Sequence, residues 1–132
     1  MEIHFRIIGL LLIALAILHA GFPVYFGWRK ELKPLSLINR QMMYIHTLFI
    51  ALTVFLMGVL CLAAAQELTA TGLGKKVSLG LGLFWTGRLL VQFFGYSSLL
   101  WKGKSFETWA HVFSTILWVY LSGVFLWAAF GR

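Results

Sequence analysis

Four apolar runs alternate with short polar links along the chain, at about residues 5–26, 41–65, 77–100 and 106–130. Each run meets the ~20 apolar residues that a helix needs to cross the hydrocarbon of a bilayer. Short links favour antiparallel neighbours. The pattern predicts an all-α fold, a four-helix transmembrane bundle of up-down topology, in a single integral membrane domain covering 1–132. The opening stretch MEIHFRIIGLLLIALAILHA has features of a signal peptide. The run is too long for one, however, and Leu18 is a poor small residue for position −3, so the segment is expected to be retained. The first link, 27–40, is interrupted by Pro34 and Ser36. The second holds Gly72, Gly74, Lys75 and Lys76 and is expected to be a basic turn. The third runs from Trp101 to Ser105.

Composition agrees with this pattern. Of the 132 residues, 61% are hydrophobic and only 11% charged, where a soluble domain carries about a quarter. The length leaves no room for a separate soluble module. The net charge of +7 sits mostly between the apolar runs. That is the pattern of membrane flanks, so the expected partner is membrane lipid and no nucleic acid is expected. The 1–2 and 3–4 loops hold six basic residues, Arg29, Lys30, Lys33, Arg40, Lys102 and Lys104. The other side holds four, Arg6, Lys75, Lys76 and Arg132. The bias places those two loops in the cytoplasm and both termini outside. The single cysteine, Cys61, has no internal disulfide partner and reads as a small buried hydrophobe.

The chemistry of interest lies inside the runs. The third contains GLGLFWTGRLLVQFFGYSSL, in which Arg88, Gln92 and Tyr96 follow at steps of four and share one helix face. An ionisable group at that depth is costly and should point into protein. His19 falls about seven residues before the first run ends, and His46 and His111 each about five after theirs begin, so at ~1.5 Å per residue they share a level with Gln92. Arg88 is a turn deeper. In the opposite half, 7–16, 54–64 and 121–130 are almost wholly apolar. One polar layer argues for a site, although polar groups in membranes also join helices as hydrogen-bond glue.

Four uses of that layer are open. The leading one is haem b, or participation in membrane redox chemistry. His46 and His111 would be axial ligands on diagonal helices, with Arg88 and Gln92, or Arg29, Lys30 and Arg40, near the propionates. Gly80, Gly82, Gly87 and Gly95 would let a macrocycle or another backbone approach. The arrangement resembles the bis-histidine membrane cytochromes b. The second is a transition metal on His19, His46 and His111, with Glu107 orienting His111. No His-x-x-His or Glu-x-x-His motif is present. The third is a quinone or anionic ligand held by Arg88 and Gln92, in a pocket lined by Tyr44, Trp85, Tyr96 and Trp109. Thr115, Trp118 and Ser122 share the face of His111. The fourth is a non-catalytic accessory subunit, whose aromatic exterior meets a larger membrane complex or another copy of the chain. No nucleophile constellation and no phosphate loop of the Walker type is present, and an enzyme activity is neither implied nor excluded.

The stretches LHAGFPVYFGWRKEL, NRQMMYIHTLFIAL and FWTGRLLVQFFGY resemble small bacterial four-helix membrane proteins of the copper-resistance CopD type and the HemJ-type protoporphyrinogen oxidases. Both place a histidine in the first helix with aromatic and glycine residues beyond it, here His19, Phe22, Gly27 and Trp28. The resemblance implies a haem-linked membrane function. The HemJ-type aromatic-Pro-Arg stretch after the first helix is not reproduced, so no catalytic residue is carried over.

Overall fold

A computed structural model describes residues 1–95 and 103–131. Among the described residues there are six helices and no strand: α1 (Glu2–Tyr25), α2 (Trp28–Glu31), α3 (Leu37–Ala63), α4 (Ala65–Ala70), α5 (Gly72–Phe94) and α6 (Ser105–Phe130). Four of them, α1, α3, α5 and α6, are long and apolar enough to cross a membrane. The fold is all-α and of the helical-bundle class, as the sequence pattern predicts.

Helix boundaries depart from the apolar runs where local chemistry overrides hydropathy. The stretch 72–76, expected as a turn, is the first turn of α5. Thr71 caps that helix by accepting a hydrogen bond from the Gly74 N–H at 2.9 Å, which satisfies one of the orphan amides of the helix start. Gly74 is needed for packing. A Cβ there would collide with the backbone of Glu67 and Leu68, so only glycine lets α5 begin against α4. The Ser78 hydroxyl donates to the Leu68 carbonyl at 3.2 Å and fastens the same corner. In the 27–40 link, Gly27 takes φ 63, a left-handed conformation that glycine adopts without penalty. The chain can then reverse out of α1 and form α2 within a stretch that reads as loop.

The chain comprises two compact units, one formed by Ile3–Ala65 and the other by the remainder from Gln66 onward with Met1 and Glu2. In the first, α1 buries Phe5, Ile8, Leu12 and Ala16, and α3 buries Ala51, Val54, Gly58 and Cys61. Both sets follow the three- and four-residue steps of a helical stripe. The two helices run antiparallel, since Gly9 lies against Leu62 while Ile13 lies against Gly58. In the second unit, α5 buries Ser78, Leu81, Gly82, Trp85 and Gln92, and α6 buries Trp118, Leu121, Ser122, Val124, Phe125 and Ala128. This pair is also antiparallel, Gly82 meeting Leu126 and Gln92 meeting His111. Outward-facing residues such as Leu10, Ile17, Phe113 and Ile116 are apolar too. An apolar outer face suits lipid, whereas a helix in water carries a polar one.

Candidate functional site

The α5–α6 hairpin brings Arg88, Gln92 and His111 together. Gln92 is at the centre and is 4% exposed. Arg88 Nη1 donates to Gln92 Oε1 at 3.2 Å. On its other side, Gln92 Nε2 lies 3.1 Å from His111 Nδ1, 3.3 Å from the His111 carbonyl oxygen and 3.3 Å from Thr115 Oγ1. Thr115 in turn donates to the His111 carbonyl at 2.8 Å. Helical spacing accounts for the set. Arg88 and Gln92 are one turn apart on α5, and His111 and Thr115 one turn apart on α6, so each pair faces the other across the antiparallel seam.

The chain of hydrogen bonds has a direction, set by Arg88. A guanidinium only donates, so the atom of Gln92 that faces it is the carbonyl oxygen and the amide nitrogen faces α6. That nitrogen has only hydrogens to offer, so Thr115, whose own proton goes to the His111 carbonyl, accepts at its oxygen. His111 Nδ1 likewise accepts, which places the ring proton of the neutral imidazole on Nε2. Reversing the order would set the Gln92 NH2 against the guanidinium, donor to donor.

Two tryptophans extend the site along the same seam. The Trp85 and Trp118 rings stack with centroids 5.1 Å apart and planes 11° from parallel, an offset geometry favoured by the ring quadrupoles. Arg88 Cζ lies 4.9 Å from the Trp118 ring centroid, within cation–π reach. Trp85 and Trp118 are 2% and 4% exposed. Among the described residues, neither indole N–H has an acceptor. Buried donors in that condition cost about 1–3 kcal/mol each and are rare in native proteins. Ser122, one turn beyond Trp118, donates to the Trp118 carbonyl at 2.8 Å.

The other expected site residues are described within their own units. His19 and His46 belong to the Ile3–Ala65 unit. His19 is half-buried; its Nδ1 is 2.9 Å from the Leu15 carbonyl, to which it donates, and its ring lies 4.7 Å from that of Phe22. His46 is exposed on α3. Glu107 is exposed in the first turn of α6, where a negative charge suits the helix dipole. Of the aromatics expected to line a pocket, Trp85 stands at the seam. Tyr44 packs edge-on against Trp28, with centroids 5.5 Å apart, Trp109 is 73% exposed, and Tyr96 lies outside the described residues. Of the four α5-run glycines, a Cβ at Gly82 would meet Leu126 and one at Gly95 would meet Val91, whereas among the described residues nothing lies within contact distance of Gly80 or Gly87. The partnering of Trp118 by Trp85 and Arg88 was missed in the sequence. The signal available for it was Trp118 sitting two turns beyond His111 on the same face.

These positions bear on the metal-centred readings. Among the described residues, no three or more His, Cys, Asp or Glu side chains are gathered to hold a metal ion. For haem, an axial histidine presents an unprotonated ring nitrogen to iron, conventionally Nε2. An Nδ1 that accepts from Gln92 puts the His111 proton on Nε2, the nitrogen an axial ligand offers to iron, so this hydrogen-bond chain does not favour haem there. The arrangement fits a cluster of donors: a guanidinium, two indoles and an imidazole N–H, within a hairpin of apolar helices.

The fold and this cluster define a class, a small all-α protein with membrane-length helices and a buried polar seam between two of them. Neither a family model, nor a curated protein, nor a solved structure matches the chain. The reading of its function therefore rests on the site.

Proposed function

We propose that this chain is a small integral protein of a bacterial plasma membrane, and that its α5–α6 hairpin binds a ligand with acceptor oxygens on an apolar body, of which a quinone is the class suited to membrane redox chemistry. The loop charges support an orientation with the 27–40 link and Lys104 in the cytoplasm and the N-terminus outside. The observation that carries the reading is the pair of buried indole N–H groups that, among the described residues, have no acceptor, beside the guanidinium of Arg88. A lipid chain has no acceptor to offer them and a quinone has two. Both rings are almost fully buried, so a ligand meets them only when they shift. The unsatisfied donors raise the energy of the ligand-free seam, and binding relieves that cost.

The test reads two quantities that should move in opposite directions. Trp118→Phe removes one unsatisfied donor and keeps the ring. The ligand-free protein in lipid nanodiscs should be as stable as the parent or up to about 1 kcal/mol more stable. Its affinity for a decyl-substituted benzoquinone, followed by quenching of tryptophan fluorescence, should fall about fivefold to tenfold, the worth of one hydrogen bond. Trp85→Phe should behave alike. Equal affinity in both variants would refute the reading, and so would a Soret band from protein purified after expression with ample haem.

A further inference from the structure

A second place of interest is the 27–44 segment of the Ile3–Ala65 unit. Here α2 and the first turns of α3 enclose a notch walled by Trp28, Arg29, Leu37, Arg40, Gln41 and Tyr44. We propose that this notch binds the phosphate headgroup of an anionic phospholipid. The assignment stands independently of the quinone reading.

Four observations carry it. The Arg40 Nε–H is buried and, among the described residues, has no acceptor. A second guanidinium, Arg29, lines the same notch, and paired arginines grip phosphate oxygens with their planar forks. The segment carries Arg29, Lys30, Lys33 and Arg40 against the single carboxylate of Glu31. Ser36, the N-cap of α3, makes no side-chain capping hydrogen bond, so the positive end of a 27-residue helix opens beside Arg40 without its usual anionic or hydroxyl partner. All of these features favour a negatively charged group with several oxygens.

The surroundings select a lipid over a free phosphate. The notch joins two helices of membrane length, where headgroups lie. Val24, Phe26, Leu37 and Ile38 flank it in sequence and are 87%, 52%, 61% and 62% exposed, an apolar surface suited to acyl chains. Trp28 and Tyr44, in edge-to-face contact, are the residue types that settle at the headgroup level. Basic pockets on the cytoplasmic side of membrane helices are where anionic headgroups bind.

Native mass spectrometry of the full chain, titrated with phosphatidylglycerol, tests the proposal. One lipid should be retained per chain, phosphatidylcholine should be retained far less, and inorganic phosphate should not displace the lipid at comparable concentration. Arg40→Gln should weaken phosphatidylglycerol binding roughly tenfold, the value of a charge-assisted hydrogen bond. Lys75→Gln with Lys76→Gln, which removes charge elsewhere, should leave it unchanged. Should Arg40→Gln not fold, Arg40→Lys keeps the charge but not the Nε donor and should weaken binding several-fold. The proposal is overturned if the Arg40 variant that folds binds the lipid as the parent does, if the lysine pair matters equally, or if phosphate ion competes as strongly as the lipid.

Discussion

Gln92→Leu is expected to destabilise the α5–α6 hairpin by about 2–3 kcal/mol. The amide accepts from Arg88 and donates toward His111 and Thr115. Two of these bonds cross to α6, where interhelical hydrogen bonds in membranes average about 0.6 kcal/mol each, and the one from Arg88 runs along α5 and adds a few tenths of a kcal/mol, so together they come to roughly 1.5 kcal/mol. Removing the acceptor that Arg88 uses in an apolar hairpin adds to this, because charge in hydrocarbon is costly. Unfolding of the purified protein in a graded detergent or by steric trapping measures the loss. Gln92→Glu separates size from polarity. A carboxylate still accepts from Arg88, and more strongly, so most of the stability should survive. It has no hydrogen to give His111, so the imidazole must turn donor at Nδ1. A near-parent stability for Gln92→Leu would mean that the polar chain contributes little.

Gly58→Leu is the second large effect, in the other unit. A Cβ at Gly58 would lie 2.8 Å from the Gly9 carbonyl oxygen and 2.9 Å from Ile13 Cγ1, and one at Gly9 would lie 2.8 Å from the Gly58 carbonyl oxygen. The nearest atom to a Gly58 Cβ is backbone, which cannot swing aside as a side chain can. Overpacking of this kind costs about 1–3 kcal/mol, and more when four carbons must be accommodated. We expect a loss of at least ~3 kcal/mol, or failure to accumulate in the membrane. Gly87→Leu on α5, where nothing lies within contact distance, should change stability little and serves as the control. Equal loss in both would show that α1 and α3 do not depend on this approach.

The two glycine results mark where sequence reading succeeds and where it stops. Four membrane-length helices were legible because hydropathy over twenty residues is a strong signal. The α5 start was not, because Gly72, Gly74 and two lysines read as a turn by composition. Their helical state depends on the Thr71 cap and on contact with Glu67 and Leu68, which no local pattern reveals. Among glycines, the α5 run drew attention by number, yet the tightest approaches between long helices include Gly9 and Gly58, one in each of two otherwise ordinary apolar runs. At the site, Arg88, Gln92 and His111 were legible from spacing and depth. The step of four placed Arg88 and Gln92 on one face, and antiparallel alternation placed His111 level with Gln92. Depth along a helix says nothing of direction around it. The sequence could therefore group His19, His46 and His111 by height, but it could not say which helix faces would meet. Nor could it read the direction of the hydrogen bonds, which Arg88 decides only once Gln92 is seen between it and His111.

The account turns on that direction, because it makes His111 a donor at Nε2. Solid-state 15N NMR of histidine-labelled protein in lipid bilayers, with the His111 signals assigned by their loss in His111→Gln, reports which ring nitrogen carries the proton. The account predicts a neutral imidazole protonated at Nε2 in the parent, and a ring protonated at Nδ1 in Gln92→Glu. A parent His111 with its proton on Nδ1 and a bare Nε2 would contradict it.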